Sequence, residues 1–499
     1  MTRRSIWWSD TAILVYMALG TVAVHAITGG RYGFQRDELA TLDDARHLAW
    51  GYVAYPPLTP FFGRISLLMF GTSLAGFRFF AAVAEAVALA LTGLMARELG
   101  GNRPAQLIAA AAAVPFCLGG GALMQYVSFD YLCWVSTAYF VLRLLKSDDP
   151  RWWMAIGSAI GLGLLSKYTM AFLVAGLTAG VLLTDAHRYL TSKWLWLGIA
   201  AAILIFLPNF LWQAQHGFVS LDFLRNIHAR DVRIGRARYF LPEQLELTLL
   251  AFPLWLAGLY FYFFAPAGQR FRTLGWMYVV PLLLFVIAQG RAYYLAAAYP
   301  MLYAAGAVLL EQWLAARHRP FAGALRAIVC TALVADMFIA AGITLPIAPV
   351  NSTWWKNAVK LNGDFPEEIG WPELVDTVAK IRDSLPPEDR AHLGILGTNY
   401  GEAGAINLYG PRYGLPTAIS GVNSFWQRGY GNPPPETVIV IGLPRGYLES
   451  KFAACEVAGH TWNRFGIANE ETRDHPDIFV CHHLRETWPE FWNSFRYFG

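Results

Sequence analysis

Apolar runs long enough to cross a bilayer fill most of residues 10–345, and few folds accommodate that pattern. A spanning helix needs about 20 mostly apolar residues, because lipid offers no partner for an unpaired backbone group. About eleven such runs can be marked, near 10–28, 79–97, 105–122, 129–145, 152–165, 168–184, 193–212, 244–264, 274–289, 293–313 and 321–345. Pro208, Pro253 and Pro281 fall inside them and are expected to kink them, and Gly119-Gly120-Gly121 ends the third. The chain is 56% hydrophobic and 15% aromatic with 19 Trp, as a bundle with interfacial belts requires. A net charge of +4 over 499 residues gives no basis for nucleic acid binding. The expected fold is an α-helical polytopic membrane protein, with interfacial helices and a small C-terminal α/β domain.

Basic residues cluster in alternate short loops: Arg97/Arg103, Arg143/Lys146/Arg151, His187/Arg188/Lys193, Arg270/Arg272 and Arg317/Arg319. With Arg3 and Arg4 they mark one side as cytoplasmic, which puts the N-terminus inside and the C-terminal domain outside. MTRRSIWW precedes an uncleaved first helix. On the external side lies the stretch RDELATLDDARHLAWGYVAYPPL, residues 36–58. Leu39, Leu42, Ala45 and Ala49 recur at helical spacing, so a helix on the membrane surface is expected, ended by Pro56-Pro57. Asp43 and Asp44 read as its solvated face, paired with Arg46 or His47. Arg225, Arg230, Arg233, Arg236 and Arg238 crowd another external loop, and Arg291 stands in GRAYYLAAAYP. External positive charge runs against topology, so it either serves an anionic ligand or is a solvated patch facing lipid headgroups. Arg225 and Arg291 lie nearest helix boundaries and are the chosen candidates for a phosphate.

FQRDELATLDDARHLAWGYVAYPPLTPFFGRIS resembles the first external loop of GT-C class polytopic glycosyltransferases. The nearest branch is that of bacterial relatives of protein O-mannosyltransferases and aminoarabinose transferases. It pairs an Asp-Glu motif with a downstream Pro-Pro, here Asp37-Glu38 and Pro56-Pro57. The resemblance implies a sugar donor on a polyprenyl phosphate, a bilayer setting, and a glycan, lipid or protein acceptor. It implies Asp37 as the base that takes the acceptor proton, with Glu38 beside it and Asp130 as a second acid of the site. The rival reading of Asp37 and Glu38 is an acidic first turn favoured by the helix dipole, and that of Asp130 is a helix cap. Lys167, in LLSKYTM, either snorkels to water or meets the donor phosphate, and GRAYYLAAAYP, with Arg291 and Tyr293, is the donor-site segment by resemblance. Some members carry Lys before the Pro-Pro; this chain has Tyr55, so any phosphate contact there must come from elsewhere. No cofactor is implied, although Asp37, Glu38 and Asp130 have the oxygen ligands a divalent cation would want.

The expected domains are 1–345, with the first external loop at 29–78, and 346–499. In the second, PELVDTVAKIRDSL reads as a helix, HLGILG, TVIVIG and DIFVCHHL as strands, and GYLESKFAACEVAG as a helix. NYGEAGAINLYGPRYGLPTAISGVNSFW, from Asn399, is either sugar-binding or ordinary loop chemistry. Cys455 and Cys481 can pair if this domain is exported, while Cys117, Cys133 and Cys330 are small apolar residues of the spans. The expected activity is transfer of a monosaccharide at the outer face of the inner membrane. A transporter of a lipid-linked sugar is the alternative, and paired repeats with mid-membrane charges would mark it.

Overall fold

A computed structural model describes residues 9–499. The orientation signal of Arg3 and Arg4 lies outside the described residues. The helices α1 (Asp10–Thr28), α2 (Arg36–Arg46) and α3 (Leu58–Phe70) open the chain. The bundle continues through α4 (Phe79–Glu98), α5 (Arg103–Gly120), α6 (Tyr126–Ser147), α7 (Trp152–Leu164), α8 (Met170–Leu183) and α9 (Lys193–Gln215). After α10 (Val219–Arg233) come α11 (Phe240–Thr248), α12 (Phe252–Phe263), α13 (Arg272–Ile287), α14 (Tyr299–Ala315) and α15 (Arg319–Thr344).

The protein is a multi-pass membrane protein. Among the described residues, seven helical segments are long and apolar enough to span, and a bent pair starting with α8 makes an eighth. The other three expected spans are helical as well, but α5 opens on polar Arg103 and Gln106 and has Pro115 inside it, α6 carries Asp130, Arg143 and Lys146, and α7 has only 13 residues. Pro208 and Pro281 lie within helices, whereas Pro253 starts α12 after a break at 249–251. There its missing N–H costs nothing. Glu85 and Asp336 face the bundle interior.

The C-terminal part carries α16 (Trp371–Ser384), β1 (Leu393–Gly397), α17 (Tyr400–Tyr409), β2 (Thr437–Ile441), β3 (Phe452–His460) and β4 (Asp477–Leu484). Strand order is β1-β2-β4-β3, with β1 and β2 parallel and the other pairs antiparallel. The segment expected as one helix is a two-turn helix at 445–451 followed by β3. FAACEVAGH alternates burial along β3, which is the period of a half-covered edge strand rather than of a helix. Cys455 lies directly opposite Cys481, and the two form a disulfide.

α2 joins the two parts. Its Leu39 and Leu42 share one hydrophobic core with Phe77, Phe129, Trp371, Ile406 and Ile439. α17 lies across α2 because Gly401 and Gly404 face it. A Cβ at Gly404 would come 2.8 Å from that of Leu39, and one at Gly401 would come 2.6 Å from Arg36 Cγ. The surface helix expected on lipid is therefore roofed by the C-terminal domain. It ends at Arg46, ten residues before Pro56-Pro57, and Pro57 instead caps α3.

Candidate active site

Gln35 sets the start of α2. Its side chain accepts from the Asp37 N–H at 2.6 Å, while Glu38 accepts from the Gln35 N–H at 3.0 Å. Asp37 and Glu38 then point different ways, since neighbouring helical positions are about 100° apart. Glu38 is fully buried, held by Arg78 at 2.6 Å and by the Met124 N–H at 2.8 Å. Arg78 also reaches Glu368 and the carbonyls of Gly29 and Gly33. Glu38 is thus an internal anchor tying α2 to α4, and takes no part in the cavity wall.

Asp37 does line a cavity of about 450 Å³, together with Lys167, Arg291, Asp44 and Asp231. Its carboxylate accepts from Gln125 Nε2 at 3.4 Å and has the Tyr400 hydroxyl beside it. Burial raises its pKa, and the neighbouring Tyr400 hydroxyl and the charges of Arg36 and Arg291 oppose that rise. Among the described residues Asp37 forms no ion pair; its neighbour Arg36 is engaged by Glu367, Glu470 and Glu471. Tyr400 is the first residue of α17, just beyond the C-terminal end of the parallel strand β1. That is where α/β folds present groups to ligands.

Lys167 projects from the break between α7 and α8. Its Nζ lies over the rings of Tyr294, Tyr126 and Tyr293, at 3.6, 4.9 and 5.0 Å. Tyr293 packs edge-on against Tyr294 and is outside the wall, behind Lys167 and Tyr294. Asp130 is also set back: it is buried, accepts from Thr169 at 3.2 Å, and supports the Lys167 wall from behind. Arg291 holds Asp231 through Nε at 2.6 Å and Nη2 at 3.3 Å. Arg225 does not converge. Its side chain is 78% exposed and meets only Asp222, because the helical period of α10 turns Leu224, Ile227 and His228 to the cavity instead.

Asp43 and Asp44 are the largest departure from expectation. Both are buried, and Arg428 of the C-terminal domain bridges them. Asn407 donates to Asp43 at 2.8 Å, and the Tyr55 hydroxyl to Asp44 at 2.6 Å. His47 and Arg46 contribute little: His47 stands 3.7 Å from Asp43, and Arg46 binds the Asn407 carbonyl. Burial lifts Asp44 to about 6 despite the Arg428 charge. Tyr400 lies in the stretch from Asn399 whose role the sequence left open, and Arg428 and Asp231 had no mark beyond residue type. The one available signal was Asn399-x-x-Glu402, a helix-start box, followed by small residues on one face. Among the described residues, no three His, Cys, Asp or Glu side chains converge as a metal site.

Residues 54–212 match the family model described as dolichyl-phosphate-mannose-protein mannosyltransferase. No curated protein matches the sequence. Among solved structures, the chain is similar to ArnT from Cupriavidus metallidurans bound to undecaprenyl phosphate. That match has 15% identity and a TM-score of 0.62, over 95% of this chain and 98% of the other. The apo state of that protein gives 15% identity and a TM-score of 0.61 over the same shares. The archaeal oligosaccharyltransferase AglB from Archaeoglobus fulgidus, in complex with an inhibitory peptide and a dolichol-phosphate, matches at 15% identity and a TM-score of 0.52. It covers 85% of this chain and 69% of that one. The family match over residues 54–212 and the architecture shared over nearly the whole length show that the chain has the GT-C fold of the ArnT structures.

Proposed function

We propose that the protein transfers a monosaccharide from a polyprenyl-phosphate donor to an acceptor hydroxyl, at the extracytoplasmic face of the inner membrane. The observation that carries this reading is the wall of one cavity: it holds Asp37, an acid without an ionic partner among the described residues, and three basic residues, of which Lys167 and Arg291 are assigned to the phosphate. The acceptor oxygen attacks the anomeric carbon, and the bond from that carbon to the phosphate oxygen breaks. The bonding pair leaves with the phosphate and the acceptor proton passes to Asp37. Attack from the face opposite the leaving group inverts the anomeric centre. Lys167 and Arg291 stabilise the charge that grows on the departing phosphate. Asp37 suits the base role because burial has raised its proton affinity.

The test is Asp37→Asn in the full-length protein, followed by mass spectrometry of envelope glycolipids and glycans. A loss of about 10²–10⁴ in transfer is expected, with binding of undecaprenyl phosphate retained. In the native protein the rate should fall with acidification at a higher pH than an ordinary carboxylate would give, since Asp37 must be ionised to act. Unchanged transfer in the variant would remove Asp37 as base. Movement of the lipid-linked sugar across the membrane without transfer would favour a transporter.

A further inference from the structure

Arg291, which the proposed function gives to the donor phosphate, already has an anion in its fork. Asp231 sits in a nest of three guanidinium groups: Arg291 at 2.6 Å, Arg236 at 3.5 Å and Arg230 at 3.8 Å. The two-point contact with Arg291 is the geometry a phosphate would also adopt. Asp231 belongs to α10, which is weakly tied down. Arg225, Leu221, Leu224 and Val232 are exposed, while Phe223, Leu224 and Ile227 lean on the cavity. Gly217 and Gly235 bracket the helix with φ of +64° and +71°, and a side-chain carbon placed on either would meet nothing within 4 Å. Left-handed glycines in open space allow the segment between them to swing. It is anchored at its start by buried Val219 and by Ser220, which meets Gln213 and the Tyr52 carbonyl, and farther along by Phe223 edge-on to Phe498 and by the Asp231–Arg291 pair.

We propose that Asp231 is a built-in competitor for the phosphate site, which takes Arg291 back after transfer and so releases the lipid product. The inference rests on the donor-site reading above. Its chemistry follows from charge. The donor is a phosphodiester with one negative charge. The product is a phosphomonoester with about −1.5 to −2 at pH 7. A cationic site with no internal anion would hold the product more tightly than the donor, and turnover would stall on release. An aspartate on a hinged helix offsets that difference. It yields Arg291 when a phosphate enters and reclaims it as the phosphate leaves. It touches neither the reacting carbon nor the acceptor, so it is a positioning residue.

The experiment titrates undecaprenyl phosphate onto the full-length protein in nanodiscs, comparing wild type with Asp231→Asn, Asp231→Glu and Arg291→Gln. If the closed pair occupies nine-tenths of the empty protein, removing the competitor tightens apparent binding about tenfold. Asp231→Asn should bind roughly that much tighter and dissociate more slowly. Asp231→Glu should behave as wild type, and Arg291→Gln should bind more weakly. Amide exchange over 219–235 should rise when the lipid is added to wild type, and should already be high in Asp231→Asn. Equal or weaker binding by Asp231→Asn, with Arg291→Gln still weakened, overturns the inference and leaves the donor site standing. Binding by Arg291→Gln at the wild-type level overturns the donor-site reading itself, and this inference with it.

Discussion

Replacing Arg428 by Ala isolates the contact that joins the C-terminal domain to the acidic helix. It leaves Asp43 and Asp44 buried side by side without a cation, each keeping one neutral donor, Asn407 and Tyr55 respectively. Breaking a buried pair by removing one partner costs about 3–5 kcal/mol. The Arg428 side chain is 24% exposed and part of its attraction is screened, so about 2–3 kcal/mol at pH 8 is the working figure. The sign of the pH dependence follows from Asp44, already raised to about 6 with Arg428 in place. A carboxylate whose folded pKa is raised penalises the fold as pH climbs from its unfolded pKa to its folded one. Without Arg428 that window extends upward, and each further pKa unit adds about 1.4 kcal/mol at high pH. The variant should therefore be much less stable than wild type at pH 8, and the gap should shrink by half or more at pH 5. Thermal unfolding in detergent micelles at the two pH values reads this directly. Adding Asp44→Asn to Arg428→Ala should recover most of the loss at pH 8. An equal loss at both pH values would mean that Arg428 acts by packing on Phe425 rather than by charge, and the reasoning would fail.

Two further perturbations address how α2 is held. Arg78→Met strands Glu38 and Glu368, both almost fully buried, and should cost about 3–5 kcal/mol; yield of folded protein after detergent extraction and its melting temperature would show it, and a melt within 1 °C of wild type, the shift that about 1 kcal/mol produces in a chain of this length, would refute the anchor role. Gly404→Leu drives a side chain into Leu39 and should lift α17 off α2, exposing the linker around residues 346–370 to protease and reducing sugar transfer, whereas Gly446→Leu, where a Cβ has open space, should do neither.

The bundle was legible because lipid allows little else: eleven apolar runs became helices at the eleven expected places. Asp37 was legible through its motif. What the sequence hid is the third dimension of α2. Periodicity showed that Leu39, Leu42 and Ala45 face one way, but not whether lipid or protein covers the other face. Asp43 and Asp44 read as a solvated face because Arg46 and His47 offer partners within a turn, yet the cation that holds them, Arg428, lies some 385 positions away in the chain. Arg225, one of five arginines in its stretch, and Arg291 shared only a place near a helix boundary. The turn of α10 sends Arg225 to solvent, whereas Arg291 meets Asp231. The helix-for-strand error at 452–460 has a local cause: Ala, Glu and Lys in KFAACEVAG favour helix, and pairing with β4 overrode them.

In the proposed reaction, the placement of charge in the cavity favours Asp37 as base over the two other acids present. Asp37, Asp44 and Asp231 all border the same space. A carboxylate held by guanidinium groups stays ionised but is a poor proton acceptor, since the cation stabilises the charge that protonation would remove. Asp231 is held in this way by Arg291, Arg236 and Arg230, which pull it below its ordinary range; Asp44, although burial lifts it to about 6, has its oxygens taken up by Arg428 and the Tyr55 hydroxyl. Asp37 is stabilised by neutral donors, Tyr400 and Gln125. It alone combines access to the cavity, a raised proton affinity and freedom from an ion pair. Two of the three groups that enforce this division, Tyr400 and Arg428, come from the C-terminal domain, and the third, Arg291, from the bundle. Neither part of the chain makes the site by itself. A membrane bundle lacking residues 346–499 should lose transfer even where it still binds the lipid phosphate.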